Sequence, residues 1–141
     1  MNHFHGSVQC GNLRVASQTT VSAEDSAVLA CQCSFCRKDD ARALSDPAGS
    51  IEITAREPEF LERYQFGLKV IECLFCRKCG VYVSAFRQDG HDAYANVMVN
   101  VLDKRTQFPE PGPVDLDGES SENKANRHRT KWTPARLNLS D

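Results

Sequence analysis

No apolar run in this chain approaches the ~20 residues that a bilayer-spanning helix needs. Its first residues, MNHFHGSVQC, also lack the basic stretch followed by an apolar one that marks a secretory signal. Together these absences lead to the expectation of a cytoplasmic protein in a reducing compartment, with no membrane contact. An excess of one charge is missing too. The 17 Lys and Arg stand against 19 Asp and Glu, for a formal net charge of −2, which argues against a nucleic-acid partner held by a strongly basic surface. Helical periodicity is scarce, and there is no internal repeat or low-complexity tract. At 141 residues the chain has the length of one domain with its own core.

What the sequence does have is cysteine. Six of its seven cysteines fall into two clusters, Cys31-Gln-Cys33-Ser-Phe-Cys36 and Cys73-Leu-Phe-Cys76-Arg-Lys-Cys79, and Cys10 stands apart. An odd count cannot pair off completely, and a reducing compartment disfavours structural bridges, so the clusters read as metal chemistry. In extended chain Cys31 and Cys33 point to one face, a poor approach for a disulfide but a good one for a shared ion.

The surrounding pattern is mostly period two. Leu13, Val15 and Val21 suggest an early hairpin turning near residues 18–20, and Val28-Leu29-Ala30 reads as a strand leading into the first cluster. Ile51-Glu52-Ile53 reads as a strand. Glu62 to Phe66 and Lys69 to Phe75 read as a hairpin turning at Gly67 and delivering Cys76 to Cys79 at its end. Residues 81–86 and 93–101 complete the strands. Helix is limited to a turn from Phe35 to Ala41 and part of Glu57 to Arg63. Beyond Asp103 the prolines at 109, 111 and 113 predict irregular chain, followed by acidic and basic stretches that read as solvated surface. Trp132 should fold back onto the body as packing. This divides the chain into a zinc domain over 1–103 and a Pro-rich, charged segment over 104–141 packed on the same domain.

Cys76-x-x-Cys79-Gly80 has the form of a zinc knuckle, with Gly80 relieving its turn, and Cys10-Gly11 is the evident contributor of a third sulfur. Val8 occupies the position where a fourth cysteine would complete the set. His3, His5 and Cys73 are the candidates to replace it, although alternation from Cys76 turns Cys73 to the opposite face, as a small core residue. Cys31, Cys33 and Cys36 form a set of three at a strand end with no evident neighbouring fourth ligand. Structural zinc is closed by four protein ligands, whereas catalytic zinc keeps one position open, so this trio suggests reactivity unless a distant residue closes it. Three thiolates make zinc a weak Lewis acid for water but a suitable partner for another sulfur, which points to activation of a thiol toward a small carbonyl. Arg37 and Lys38 follow directly and offer positive charge.

The ordered set Gly6-x-x-x-Cys10-Gly11, Cys31-x-Cys33-x-x-Cys36-Arg37-Lys38 and Phe75-Cys76-x-x-Cys79-Gly80 resembles the glutathione-dependent formaldehyde-activating enzyme family, which includes centromere protein V. The resemblance spans about residues 6–103. It implies a mainly β fold of small coiled antiparallel sheets, the Mss4-like fold, with zinc-ribbon-type knuckles. It also implies one or two Zn2+ per chain: a catalytic site on Cys31, Cys33 and Cys36, and a structural site on Cys10, Cys76 and Cys79. The activity implied is that of a carbon–sulfur lyase joining glutathione and formaldehyde, with a small thiol and an aldehyde as partners. Val8 departs from the family pattern, which has a cysteine there. A non-catalytic zinc- or glutathione-binding or adaptor module is the competing reading.

Overall fold

The computed structural model describes residues 1–116 and 118–139; Asp117, within the acidic stretch, and Ser140 and Asp141 lie outside the described residues. The fold is mainly β with little helix. An eight-stranded sheet runs in the order β1-β2-β5-β12-β9-β8-β7-β6, and a four-stranded sheet in the order β10-β4-β3-β11. The strands are β1 (Asn2–Ser7), β2 (Leu13–Thr19), β3 (Leu29–Cys31), β4 (Ala43–Leu44), β5 (Ser50–Ala55), β6 (Leu61–Tyr64), β7 (Glu72–Cys76), β8 (Tyr82–Asp89), β9 (Asp92–Ala95), β10 (Val97–Met98), β11 (Gly112–Val114) and β12 (Thr133–Leu139). Two α-helices, α1 (Ser34–Asp39) and α2 (Ser121–Lys131), are inserted between strands. Most pairings are antiparallel, but β12 with β5 and β11 with β3 are parallel.

Strand β2 shows why a two-residue period dictates a half-buried strand. Leu13, Val15, Ser17 and Thr19 are buried while Arg14, Ala16 and Gln18 face outward. The early hairpin nevertheless turns elsewhere than the spacing predicts. Strand β2 pairs back onto β1, with Asn2 opposite Thr19 and Ser7 opposite Arg14, so the turn is at residues 8–12. Phe4 is the one apolar side chain in β1, which leaves that strand nearly without a pattern. Gly6 is required there by close approach: a Cβ would stand 2.0 Å from the Val101 carbonyl oxygen.

The core between the strands is built from Leu13, Ile53, Leu74 and Val83, all fully buried, together with Val8, Val97 and Phe86. Burying a side chain of this kind contributes about 1.5–3 kcal/mol relative to leaving it in water. A second, smaller cluster of Ala41, Cys73, Tyr82 and Met98 packs with Phe35 and Cys36 and backs the first cysteine cluster.

Two further stretches depart from the sequence reading. The return strand of the second hairpin begins at Glu72, because Gly67 (φ 60°) and Lys69 (φ 58°) take left-handed conformations and make 65–71 a loop. Beyond Asp103 the chain is ordered where irregular chain is predicted: it supplies β11, α2 and β12. Helix α2 has His128 as its buried residue and no apolar face. It is held by a Ser120 cap whose hydroxyl accepts the Asn123 N–H at 3.1 Å, and by a two-pronged ion pair from Arg127 to Glu119 at 3.0 Å. Strand β12 enters the middle of the large sheet despite Pro134. It pairs with β9 at residues 133–134 and with β5 from Ala135 on, so the missing proline N–H falls at the hand-over between partners.

Candidate functional site

The first trio is assembled where a strand becomes a helix. Strand β3 ends at Cys31, Cys33 caps α1, and its sulfur accepts the Cys36 N–H at 3.4 Å. The helix stops at Asp40, which takes a left-handed conformation, and the Ala41 N–H returns to the Cys36 carbonyl at 3.0 Å. The three sulfurs lie within 4.8 Å of one another, so this trio can hold a metal ion. The crowding is visible in the thiols' acidity. Cys36 is pushed far above the ordinary thiol range by its hydrogen bond with Cys31, then by burial and by the negative charge of Cys31 and Cys33. Three thiolates cannot share this space without a cation between them. The donor set is soft and fits zinc, whose 2+ charge would offset most of the three thiolates' charge.

This trio lines a cavity of about 460 Å3. Tyr82 and Cys73 form part of the wall; burial, the largest cause, pushes the Cys73 thiol up to about 11 and the Tyr82 phenol well above its ordinary value. Phe35 meets Tyr82 edge-on at 5.1 Å and packs on Tyr64 and Phe66, each at 5.5 Å. Asn96 also lines the cavity, its side-chain oxygen held by the Ala85 N–H at 2.9 Å. Arg37 and Lys38 lie exposed on α1 and do not line the cavity; its cations are Lys69, Lys124 and Arg127.

The second trio is built from two turns. Cys10 lies in the β1–β2 turn, Cys76 ends β7, and Cys79 follows on a turn closed by the Gly80 N–H to the Cys76 carbonyl at 2.7 Å, with Gly80 at φ 79°. These three sulfurs also lie within 4.8 Å of one another, Cys10 and Cys76 being 3.5 Å apart, and can hold a metal ion. Burial raises the Cys76 thiol; for Cys79 burial is outweighed by the backbone N–H groups of Cys10 and Val81, and its thiol goes down. Among the described residues no histidine or carboxylate joins this group within that spacing, so neither His3 nor His5 takes the fourth place. Cys73 stands with the first trio instead. Val8 is buried in the same core cluster as Cys76.

Sequence reasoning did not anticipate Tyr82, Asn96, Lys124, Arg127 or Trp132 as residues around the first trio. A lone Trp in a polar tail was the one available signal. Trp132 is buried, stacks on His128 at 3.9 Å between ring centres, and lines the cavity.

A mainly β chain that gathers two trios of cysteine on strand ends and turns, one of them opening on a cavity, defines a class of small cysteine-site β proteins. The profile of the glutathione-dependent formaldehyde-activating enzymes matches residues 3–113, and the chain belongs to this family. A crystal structure of a Rhodobacter sphaeroides protein superposes with a TM-score of 0.61 at 25% identity, over 78% of this chain and 99% of that one. No curated protein matches the chain. No helix among the described residues is long and apolar enough to cross a membrane.

Proposed function

We propose that the protein is a zinc-dependent carbon–sulfur lyase-like enzyme that adds a thiol, glutathione in the family's reaction, to a small aldehyde such as formaldehyde. The observation that carries this reading is that the Cys31, Cys33 and Cys36 sulfurs share one point on the wall of a cavity, with no protein fourth ligand among the described residues. Zinc on this trio would supply a soft centre that keeps an incoming thiol as thiolate at neutral pH. In the addition, a bond forms between the thiol sulfur and the aldehyde carbon, and the thiol proton ends on the former carbonyl oxygen, with no change of redox state. Tyr82, which burial keeps neutral, would donate a hydrogen bond to that oxygen while the thiol's proton arrives there, and keeps its own proton throughout. Asn96, with its oxygen already engaged, has only its amide N–H groups left to offer the cavity. Cys10, Cys76 and Cys79 would hold a second, structural zinc.

The test joins metal content to turnover. Purified protein should carry about two zincs per chain and should accelerate exchange between formaldehyde plus glutathione and S-hydroxymethylglutathione, followed by NMR saturation transfer. Exchange no faster than the spontaneous reaction with both sites loaded would leave the non-catalytic module as the reading.

A further inference from the structure

The three cations that line the cavity beside the first trio are not equivalent. Arg127 is committed to Glu119 through bonds of 3.0 Å, so this wall pair is internally neutral. Lys69 and Lys124 make no ion pair among the described residues. They line the cavity from different segments, Lys69 from the loop between β6 and β7 and Lys124, half-buried, from α2. Two unpaired cations at one concave site fit a ligand with two anionic groups.

Lys69 is held in an unfavourable conformation. Among the described residues it and Asp40 are the two non-glycine residues with a left-handed backbone. The Lys69 N–H donates to the Phe66 carbonyl and the Lys69 carbonyl accepts the Gln65 side-chain amide, each at 3.1 Å. A lysine fixed in this way at a cavity wall reads as a ligand contact more than as chance surface charge. Lys124 instead has a companion of opposite sign. Glu119, the one carboxylate in the lining among the described residues, precedes it on the same segment, and its oxygens keep lone pairs beyond those that Arg127 takes. A lysine and a carboxylate on one segment match the carboxylate and ammonium of an α-amino-acid head. Elsewhere the lining is largely apolar, with Leu29, Phe66 and Leu68 among its exposed side chains, so few other groups compete in orienting a ligand.

We propose that this protein recognises glutathione by its two ends: Lys69 holds the glycyl carboxylate, Lys124 holds the α-carboxylate of the γ-glutamyl head, and Glu119 receives the ammonium of that head. The head is thus read by a wall that the family match, which ends at residue 113, does not include. The choice of glutathione rests on the function proposed above; the assignment of its ends rests on the charges of the lining.

Calorimetric titration of the full zinc-loaded chain with glutathione and its fragments separates the two ends. Lys69→Met should weaken glutathione about fivefold and leave γ-glutamylcysteine, which lacks the glycine, unchanged. Lys124→Met should weaken glutathione and γ-glutamylcysteine alike and leave cysteinylglycine, which lacks the glutamyl head, unchanged. Glutaryl-cysteinylglycine, which is glutathione without its ammonium, should bind the native chain more weakly than glutathione does, and that difference should vanish in Glu119→Gln. If either lysine variant binds glutathione as the native chain does, or weakens the fragment lacking its carboxylate as much as the whole tripeptide, the proposal is overturned. The opposite pairing of lysines with fragments overturns it too, as does equal binding of the ligand without the ammonium. An analogue with a methyl group in place of the thiol distinguishes this proposal from the function above, because the lysine losses should persist with it. If they persist while glutathione gains nothing over that analogue, recognition of the two ends stands and the thiolate role of the first trio falls.

Discussion

The two cysteine trios have the same ligand count, and in each the sulfurs lie within 4.8 Å of one another, yet they sit in opposite surroundings. Cys31, Cys33 and Cys36 are all partly exposed on the wall of a cavity. The second trio ranges from exposed Cys10 to fully buried Cys76, which belongs to the main core cluster with Val8 and Leu74. Three thiolates beside a cavity leave room for a fourth, exchangeable ligand. Three thiolates knitted into two turns and a core tie the β1–β2 turn to the end of β7. On the function proposed, what would separate a reactive trio from a structural one is thus the packing around it and not the ligand type.

The largest expected effects come from removing one sulfur on each side. Cys36→Ser should lower thiol-dependent aldehyde turnover at least about 100-fold and remove one zinc, with little change in the unfolding midpoint. Cys76→Ser should do the reverse, costing about 3 kcal/mol of stability in chemical denaturation while turnover per folded molecule persists. Equal losses of both properties in both variants would erase the distinction.

A smaller effect should follow from adding a sulfur. Val8→Cys introduces a fourth thiol two residues before Cys10 and should slow zinc loss from the second trio to a chelator about tenfold, leaving turnover unchanged. An unaltered release rate would show that this position does not reach the trio.

The smallest effect concerns the C-terminal wall of the first trio alone. His128 is fully buried, its Nδ1 3.3 Å from the Arg87 guanidinium and its Nε2 without a hydrogen-bond partner among the described residues. Burial, followed by the charges of Arg127, Arg87 and Lys124, depresses its pKa from 6.5 to about 3. An unfolded chain takes up this proton near pH 6.5 and the folded one does not until far lower. The neutral ring's contribution is therefore fully present above pH 6.5 and is lost as pH falls toward 3. Stability should drop by about 1–2 kcal/mol between pH 8 and pH 5, and His128→Phe should flatten that slope. If the slope is the same in the variant, other groups cause it.

Much of the site was legible in the sequence because ligand spacing is a local property. Cys33 and Cys36 are joined by a single helical turn, and Cys76 and Cys79 by one tight turn, so the chain itself brings those pairs together. Period two likewise identified β2, β5 and β8. The C-terminal segment was not legible for the opposite reason. Helix α2 has no apolar stripe because it is fastened by one buried histidine, a stacked Trp and an ion pair to Glu119. Strand β12 carries a proline that usually argues against an inner strand, and only the change of partner after Pro134 makes it acceptable.

By itself, then, the sequence determined the mainly β character, the Cys31, Cys33 and Cys36 set and the Cys76–Cys79 knuckle, since each depends on residues a few positions apart, and the order of these motifs pointed to the family. Tertiary structure alone decided that Cys73 and Tyr82 stand with the first trio, that His3 and His5 do not join the second, and that Lys124 and Trp132 line the cavity beside the first trio. The placement of Lys124 and Trp132 goes with β12 crossing from residue 133 to the centre of a sheet begun at residue 2, a pairing between distant segments that no local pattern encodes.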